Sequence, residues 1–204
     1  PLIGLPVSFF LSGRTNKFRY SSILALSLFF AIMGFYFVPR SLNSDLVRYF
    51  TNYVDVFRLQ SFSQIFQGQV TLNKFFIVQN LLFFVSSRFN NDQMLPFLTM
   101  FFVYFNGFNI ITDFSKRNKL APRQIWQMLF IFIVAITFTT VVNNIRNILG
   151  VSFFCLALYR DLYKKDKSIL TLFLYFLGMS THIAVVGLVL IRILLSFLGS
   201  VRSL

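Results

Sequence analysis

Five long apolar runs divide this sequence, and they limit its fold more than any other feature. A helix that spans a membrane needs about 20 mostly apolar residues. Charged residues make up only 12% of the chain, whereas a soluble domain carries about 25%. We therefore predict an all-α fold, a polytopic transmembrane helix bundle formed by a single membrane domain. The predicted spans are Ser21–Val38, Met94–Thr112, Ile125–Val142, Ile145–Tyr159 and Ile169–Ile191.

The basic residues indicate how the spans are oriented. Eleven of the 19 Lys and Arg residues lie in three short loops, Ser12–Tyr20, Asp113–Gln124 and Arg160–Ser168. Short loops rich in Lys and Arg lie on the cytoplasmic side of a membrane. We therefore expect all three loops in the cytoplasm, as parts of a multi-pass plasma-membrane protein.

A weaker apolar run, Leu72–Ser87, complicates this topology. An even number of crossings must separate the first two basic loops, but three apolar runs lie between them. Either Leu72–Ser87 enters the membrane and returns to the same side, or the stretch before it hides another crossing. Four polar residues favour a re-entrant segment, because polar groups at this depth need to be buried in protein. They are Asn73, Lys74, Gln79 and Asn80.

Composition disfavours several functions. The net charge of +13 lies in short loops between apolar runs, which is not the clustered pattern that binds phosphates, so no nucleic-acid partner is expected. Cys155 is the only cysteine and His182 the only histidine, which excludes an intrachain disulfide and a Cys/His zinc site. We expect no metal and no cofactor. We also expect the chain to be a fragment, with Leu2–Leu11 the end of a cut transmembrane helix.

The first polar cluster, Asn43–Tyr49, follows the first predicted span. It predicts a helix capped by Asn43 or Ser44. One face is polar at spacings of three and four and the other is apolar, so we expect an amphipathic helix on the outer leaflet. Two interpretations stay open, a solvated helix with an internal ion pair and a polar lip beside a substrate groove. The polar residues are Asp45, Arg48, Asn52 and Asp55, and the apolar ones are Leu46, Phe50, Tyr53 and Phe57.

The second cluster, Asn143–Asn147, contains Arg146 between two predicted spans. Arginine presents a planar fork that suits phosphate and carboxylate oxygens, which predicts a ligand-binding role. The alternative is an interfacial turn whose arginine reaches lipid headgroups.

The third cluster, Ser180–His182, interrupts the last apolar run. Thirteen residues separate Ile169 from His182, which is about 20 Å along a helix. Ionisable residues at that depth are functional candidates, and imidazole exchanges a proton near neutral pH. The alternative is a histidine with a structural role. The charge pattern places all three clusters toward the outer side.

Together these motifs resemble the EpsG/Wzy-type polysaccharide polymerases, which are bacterial plasma-membrane proteins of capsule, exopolysaccharide and O-antigen assembly. The resemblance rests on an Asp-x-x-Arg-Tyr loop after a span, an Asn-x-x-Arg helix start and a histidine within an apolar run. It implies a glycosyltransferase that passes a growing glycan from a polyprenyl-diphosphate carrier to the next lipid-linked repeat unit on the outer membrane face. The matching residues are Asp45, Arg48, Tyr49, Arg146 and His182.

The resemblance also implies roles for these residues. Arg146 would hold the carrier diphosphate or offset the charge of the leaving group, and His182 would activate the acceptor hydroxyl as general base. The expected partners are lipid-linked oligosaccharide, membrane lipids and other polysaccharide assembly proteins. The predicted substrate-binding residues are Asp45, Arg48, Tyr49, Asn143 and Asn144.

Other functions remain as alternatives. A ligase that passes finished glycan to another acceptor would use the same groups. A transporter or flippase for lipid-linked sugars or small solutes would place Arg146 and His182 along its pathway. Helices broken in pairs at Gly or Pro would favour it, but Pro96 and Gly107 lie in one run without a counterpart. A non-catalytic scaffold or an inactive fragment is the third alternative.

Overall fold

The structure, a computed structural model, describes residues 16–39, 44–66 and 75–201. Every regular element in these ranges is helical, which confirms the all-α prediction. The predicted Leu2–Leu11 helix end lies outside the described residues. In chain order the helices are α1 (Asn16–Phe35), α2 (Asp45–Tyr49), α3 (Asp55–Arg58), α4 (Ile77–Ser87), α5 (Met94–Arg117), α6 (Pro122–Ala135), α7 (Phe138–Asn143), α8 (Ile145–Leu158), α9 (Ile169–Met179) and α10 (Ile183–Val201). π-Helical turns occupy Phe50–Val54 and Tyr159–Tyr163, and a 3₁₀-helix occupies Phe62–Phe66.

Helices α1 and α5 form an antiparallel pair. Phe30 stacks on Tyr104 with ring centroids 3.9 Å apart, and Phe35 meets Phe97 at 6.3 Å. Residue numbers rise along α1 as they fall along α5, so the two helices run in opposite directions. These helices lie where Ser21–Val38 and Met94–Thr112 predict them, although α1 begins and ends earlier and α5 continues to Arg117.

Helix α8 packs parallel to α5, because residue numbers rise together along the two helices at their contacts. The side chain of Asn106 donates to the Ser152 hydroxyl at 3.2 Å, and the Tyr159 hydroxyl donates to Asp113 at 2.9 Å. Helix α8 matches the predicted run Ile145–Tyr159 to within one residue.

The described parts of the three predicted basic loops meet at one end of the bundle. Asn118 donates to the Tyr163 hydroxyl at 2.5 Å, and Tyr20 lines the same small cleft as Asp113 and Lys164. We call this the basic end, and the opposite end, where α5 begins and α8 begins, the far end. Their common location agrees with a shared side for the three loops.

The predicted continuous helix over Ile125–Val142 is wrong. Helix α6 begins earlier, at Pro122, a residue that favours the first helical position. It ends before Ile136, and α7 starts after Thr137, whose hydroxyl accepts from the Thr140 N–H at 3.3 Å. The Tyr104 hydroxyl donates to the Ile136 carbonyl at 2.8 Å. A tertiary hydrogen bond therefore satisfies the carbonyl that the break leaves open.

The predicted continuous helix over Ile169–Ile191 is also wrong. Helix α9 ends at Met179, the chain turns at Ser180–His182, and α10 begins at Ile183. The Thr181 hydroxyl donates to the Leu177 carbonyl at 2.7 Å. Hydroxyl groups that bond back to the preceding turn compete with the helical ladder, which accounts for a break inside an apolar run.

After this break the chain returns toward the basic end. A Cβ on Gly150 of α8 would stand 3.2 Å from the Gly178 carbonyl oxygen in α9 and 3.0 Å from Val185 in α10. Farther along, Arg192 of α10 donates to Asp161, which follows α8, at 2.9 Å. Helices α9 and α10 therefore form a hairpin against α8 and do not cross the bundle in one direction.

Helix length gives limited support for membrane crossing. Among the described residues, α5 is the one helix long and apolar enough to span a membrane by itself. The shorter apolar helices have 10–17 residues, and they lie at Tyr20–Phe35, Ile77–Ser87, Pro122–Ala135, Ile169–Met179 and Ile183–Leu198.

Candidate functional site

The first predicted cluster forms a short amphipathic element at the far end. Ser44 caps it, accepting from the Val47 N–H at 3.3 Å, while Asn43 lies outside the described residues. Asp45 and Arg48 pair with each other at the partly exposed surface, as the internal ion-pair interpretation predicts.

The apolar face of this element packs on protein. Its buried residues are Leu46, Phe50, Val54 and Phe57. Tyr53 stacks on Phe83 of α4 at 5.0 Å, and Phe57 meets Phe84 at 6.5 Å. The prediction that this face rests on the outer leaflet is therefore wrong, because α4 covers it.

Arg146 lies against this element. Its guanidinium carbon is 5.3 Å from the centre of the Tyr49 ring and 5.9 Å from that of Tyr53, distances at which a cation is attracted to an aromatic face. Within the described residues no carboxylate forms an ion pair with Arg146, and its buried Nε has no hydrogen-bond partner. The positive charge of Arg146 is therefore stabilised by two tyrosine rings and is not neutralised by a carboxylate among the described residues.

Arg146 is half-buried and lies between the middle of the bundle and its far end. Asn106 lies near the middle of the 24-residue helix α5 and bonds Ser152, as described above. Arg146 precedes Ser152 by six residues, which is about 9 Å along α8 toward the far end. Its buried Nε has no hydrogen-bond partner among the described residues, and burying a polar group without a partner is costly.

His182 lies in the turn between α9 and α10. This turn packs on α8 one helical turn after Arg146, since a Cβ on Gly150 would stand 3.4 Å from the Thr181 Cβ. Its Nδ1 accepts a hydrogen bond from the Ala184 N–H at 3.2 Å. A neutral imidazole whose Nδ1 accepts carries its proton on Nε2. In this geometry Nε2 is a donor, which suits an anionic oxygen better than the general-base role predicted from the sequence.

Helix α4 reaches the same turn. The backbone N–H of Gln79 donates to the Ser180 carbonyl at 3.4 Å, and the Gln79 side chain is only 1% exposed. Its amide nitrogen has no hydrogen-bond partner among the described residues. An 11-residue helix thus begins inside the bundle beside Ser180–His182. Residues 72–74 of the predicted re-entrant segment lie outside the described ranges.

Of the other predicted site residues, Tyr49 lies against Arg146. Asp45 and Arg48 form their own pair at the surface, and Asn143 and Asn144 are exposed at the turn before α8. Among the described residues no three His, Cys, Asp or Glu side chains come together as metal ligands.

Sequence reasoning missed two contributors, Tyr53 and Gln79. Tyr53 follows Tyr49 by four residues, a spacing that places two side chains on one helical face. That signal was present in the sequence. Gln79 was noted only as one of the polar residues of a re-entrant segment, and its proximity to Ser180 needs the fold.

Comparison with known proteins finds no matching family model, no matching curated protein and no matching solved structure.

Proposed function

We propose that this chain forms part of a polytopic bacterial plasma-membrane polymerase, which joins polyprenyl-diphosphate-linked oligosaccharide units into a surface polysaccharide. The proposal is carried by Arg146, which lies against Tyr49 and Tyr53 and forms no ion pair with a carboxylate among the described residues. Gly150, one helical turn after Arg146, packs against Thr181, the neighbour of His182. Such a site suits a diphosphate, because guanidinium and imidazole N–H groups donate to its oxygens. The sequence resemblance is what identifies the proposed ligand as a glycan on a polyprenyl-diphosphate carrier.

The outer surface of the bundle supports a membrane location. Large apolar side chains are exposed along α6, α9 and α10, including Phe130 at 68%, Leu172 at 63% and Leu190 at 60%. Soluble monomers rarely expose contiguous apolar surface of this extent. With lipid around these helices, the basic end faces the cytoplasm and the Arg146 site lies in the outer half. In this frame α4 is the returning arm of the re-entrant segment.

The proposed reaction transfers one glycosyl group from the carrier diphosphate to an acceptor hydroxyl. The acceptor hydroxyl attacks the anomeric carbon of the carrier-linked glycan, the bond from that carbon to the diphosphate oxygen breaks, and the hydroxyl proton passes to solvent. Negative charge grows on the departing diphosphate. Arg146 and the Nε2–H of His182 are directed at such charge, and electrostatic stabilisation of this kind is often the largest contribution to catalysis.

Polymer length in cells tests this function. Arg146→Ala and His182→Ala in the full-length protein are expected to leave single repeat units without long chains. Arg123→Ala, which removes an exposed arginine at the basic end, is the matched control and is expected to leave the polymer unchanged. Long chains persisting in both site variants would refute the proposal.

A transporter of lipid-linked sugars is the second candidate, and one observation favours it. The discontinuous elements α4 and α9–α10 meet inside the bundle at the Gln79–Ser180 hydrogen bond, an arrangement found at transporter substrate sites. A transport defect leaves lipid-linked units on the cytoplasmic leaflet, whereas a polymerase defect leaves them on the outer leaflet. Leaflet-specific labelling of these units in the Arg146→Ala strain separates the two functions.

A further inference from the structure

We infer that an apolar cleft beside the Ser180–His182 turn holds the hydrocarbon tail of the amphiphile whose anionic head binds at Arg146. This inference rests on the proposed function, in which polyprenyl diphosphate is that amphiphile. The cleft has a volume of about 350 Å³, within the range of about 300–1,000 Å³ that ligand sites occupy. Its apolar walls are formed by Phe75, Phe76, Phe176, Met179, Ile183 and Val186.

The cleft and the Arg146 site share one turn of the chain. Ser180 lines the cleft, and Thr181, the next residue, packs against α8 one helical turn after Arg146. The contact is at Gly150 of α8, where a Cβ would stand 3.4 Å from the Thr181 Cβ. A ligand with its phosphate at Arg146 and an extended tail therefore passes Ser180 and enters the cleft.

The walls of the cleft favour hydrocarbon over sugar. Among the described residues that line it, Ser180 is the polar one, and its hydroxyl donates to the Phe176 carbonyl at 2.6 Å. The hydroxyl groups of a sugar would lose their water there without regaining enough partners, which is costly. Burying a hydrocarbon tail is favourable.

The cleft is also open toward the surface that the proposed function places in lipid. Phe75 is 70% exposed and Ile183 is 63% exposed, so the walls continue onto the outer surface of the protein. A tail longer than the cleft can leave it directly into the membrane. The cleft thus holds the first isoprene units, and the bilayer holds the rest.

Two soluble probes test the inference on the full-length protein in detergent. Inorganic diphosphate has the head alone, and farnesyl diphosphate adds a short isoprenoid tail. We expect farnesyl diphosphate to bind the wild type at least about tenfold more tightly, because each buried CH₂ contributes to affinity. Val186→Trp and Ile183→Trp fill the cleft and are expected to remove this preference while inorganic diphosphate still binds. Leu190→Trp, on the exposed surface of α10, is the matched control and should keep the preference.

Equal affinity of the wild type for the two probes would overturn the tail site. A preference that survives in both cleft variants would overturn it as well, since the gain would then come from detergent partition. Retained binding of inorganic diphosphate shows that a cleft variant is folded. If inorganic diphosphate fails to bind the wild type, the proposed function fails with the inference. If it binds without any tail preference, only the inference fails.

Discussion

Arg192 and Asp161 form an ion pair that fixes the α9–α10 hairpin against the rest of the bundle. The guanidinium Nη2 and the carboxylate are 2.8 Å apart, and the two side chains are 20% and 12% exposed. The hydroxyl of Tyr175 in α9 donates to the same carboxylate at 3.1 Å. One carboxylate therefore holds both arms of the hairpin whose turn carries His182.

Removing one member of this pair should destabilise the protein. In Asp161→Asn the charge of Arg192 remains half-buried among apolar side chains of α10, and a lost hydrogen bond to a charged group costs about 1.5–3 kcal/mol. The measurement is the free energy of unfolding in detergent. The matched control is Asp45→Asn, which breaks the more exposed Asp45–Arg48 pair and should cost less than about 1 kcal/mol. Equal costs for the two substitutions would show that Asp161 does not anchor the hairpin.

Gly107 should not tolerate a larger residue. A Cβ at this position would stand 2.0 Å from the Phe132 ring of α6, so Gly107→Ala forces this ring out of its place between the two helices. Overpacking of this kind costs about 1–3 kcal/mol, which a decrease in thermal unfolding temperature reports. Gly187→Ala in α10 is the control, because a Cβ there meets nothing within 4 Å and alanine favours a helix. A Gly107→Ala protein as stable as wild type would contradict the close packing of α5 and α6.

The loop before α9 should lose stability in acid. Hydrogen bonds from the Ser168 backbone and hydroxyl, and then the positive charges of Arg160 and Lys164, lower the pKa of Asp166. A carboxyl with a lowered folded-state pKa stabilises the fold above its unfolded pKa of about 3.9, and this contribution disappears as the pH falls through the folded-state pKa. Asp166→Asn should therefore flatten the loss of stability below about pH 4. Unfolding temperatures of wild type and variant that fall in parallel would argue against this role.

The proposed orientation predicts which residues react with a reagent from outside the cell. In a Cys155→Ser background, Asp45→Cys is expected to react with a membrane-impermeant maleimide on intact cells, because position 45 lies at the far end. Lys119→Cys lies at the basic end and should react only after lysis. The reverse pattern of labelling would invert the topology, and labelling of both on intact cells would exclude a bundle that crosses the membrane.

Apolar runs predicted the helices whose ends coincide with a change in polarity, such as α5 and α8. They did not predict the breaks near Ile136 and Ser180, because hydropathy remains high on both sides of each break. The Ile136 break is stabilised by the hydroxyl of Tyr104, which lies 32 residues away. A contact of this range is a property of the fold and leaves no local pattern in the sequence.

Part of the site was also predictable from the sequence. An arginine and a histidine inside apolar sequence are unusual, and that alone marked Arg146 and His182. The charge of the loops predicted that both lie toward the outer side. The position of the proton on His182 was not predictable, because it depends on the Ala184 N–H and on a turn that the apolar run does not indicate.

Titration of inorganic diphosphate into the full-length protein, wild type against Arg146→Ala, shows whether Arg146 binds anions. Its charge is not neutralised by any carboxylate among the described residues. Loss of a charge-assisted hydrogen bond of about 1.5–3 kcal/mol predicts an affinity at least about tenfold weaker in the variant, with Arg123→Ala unchanged. The same dissociation constant for wild type and Arg146→Ala would contradict anion binding by Arg146.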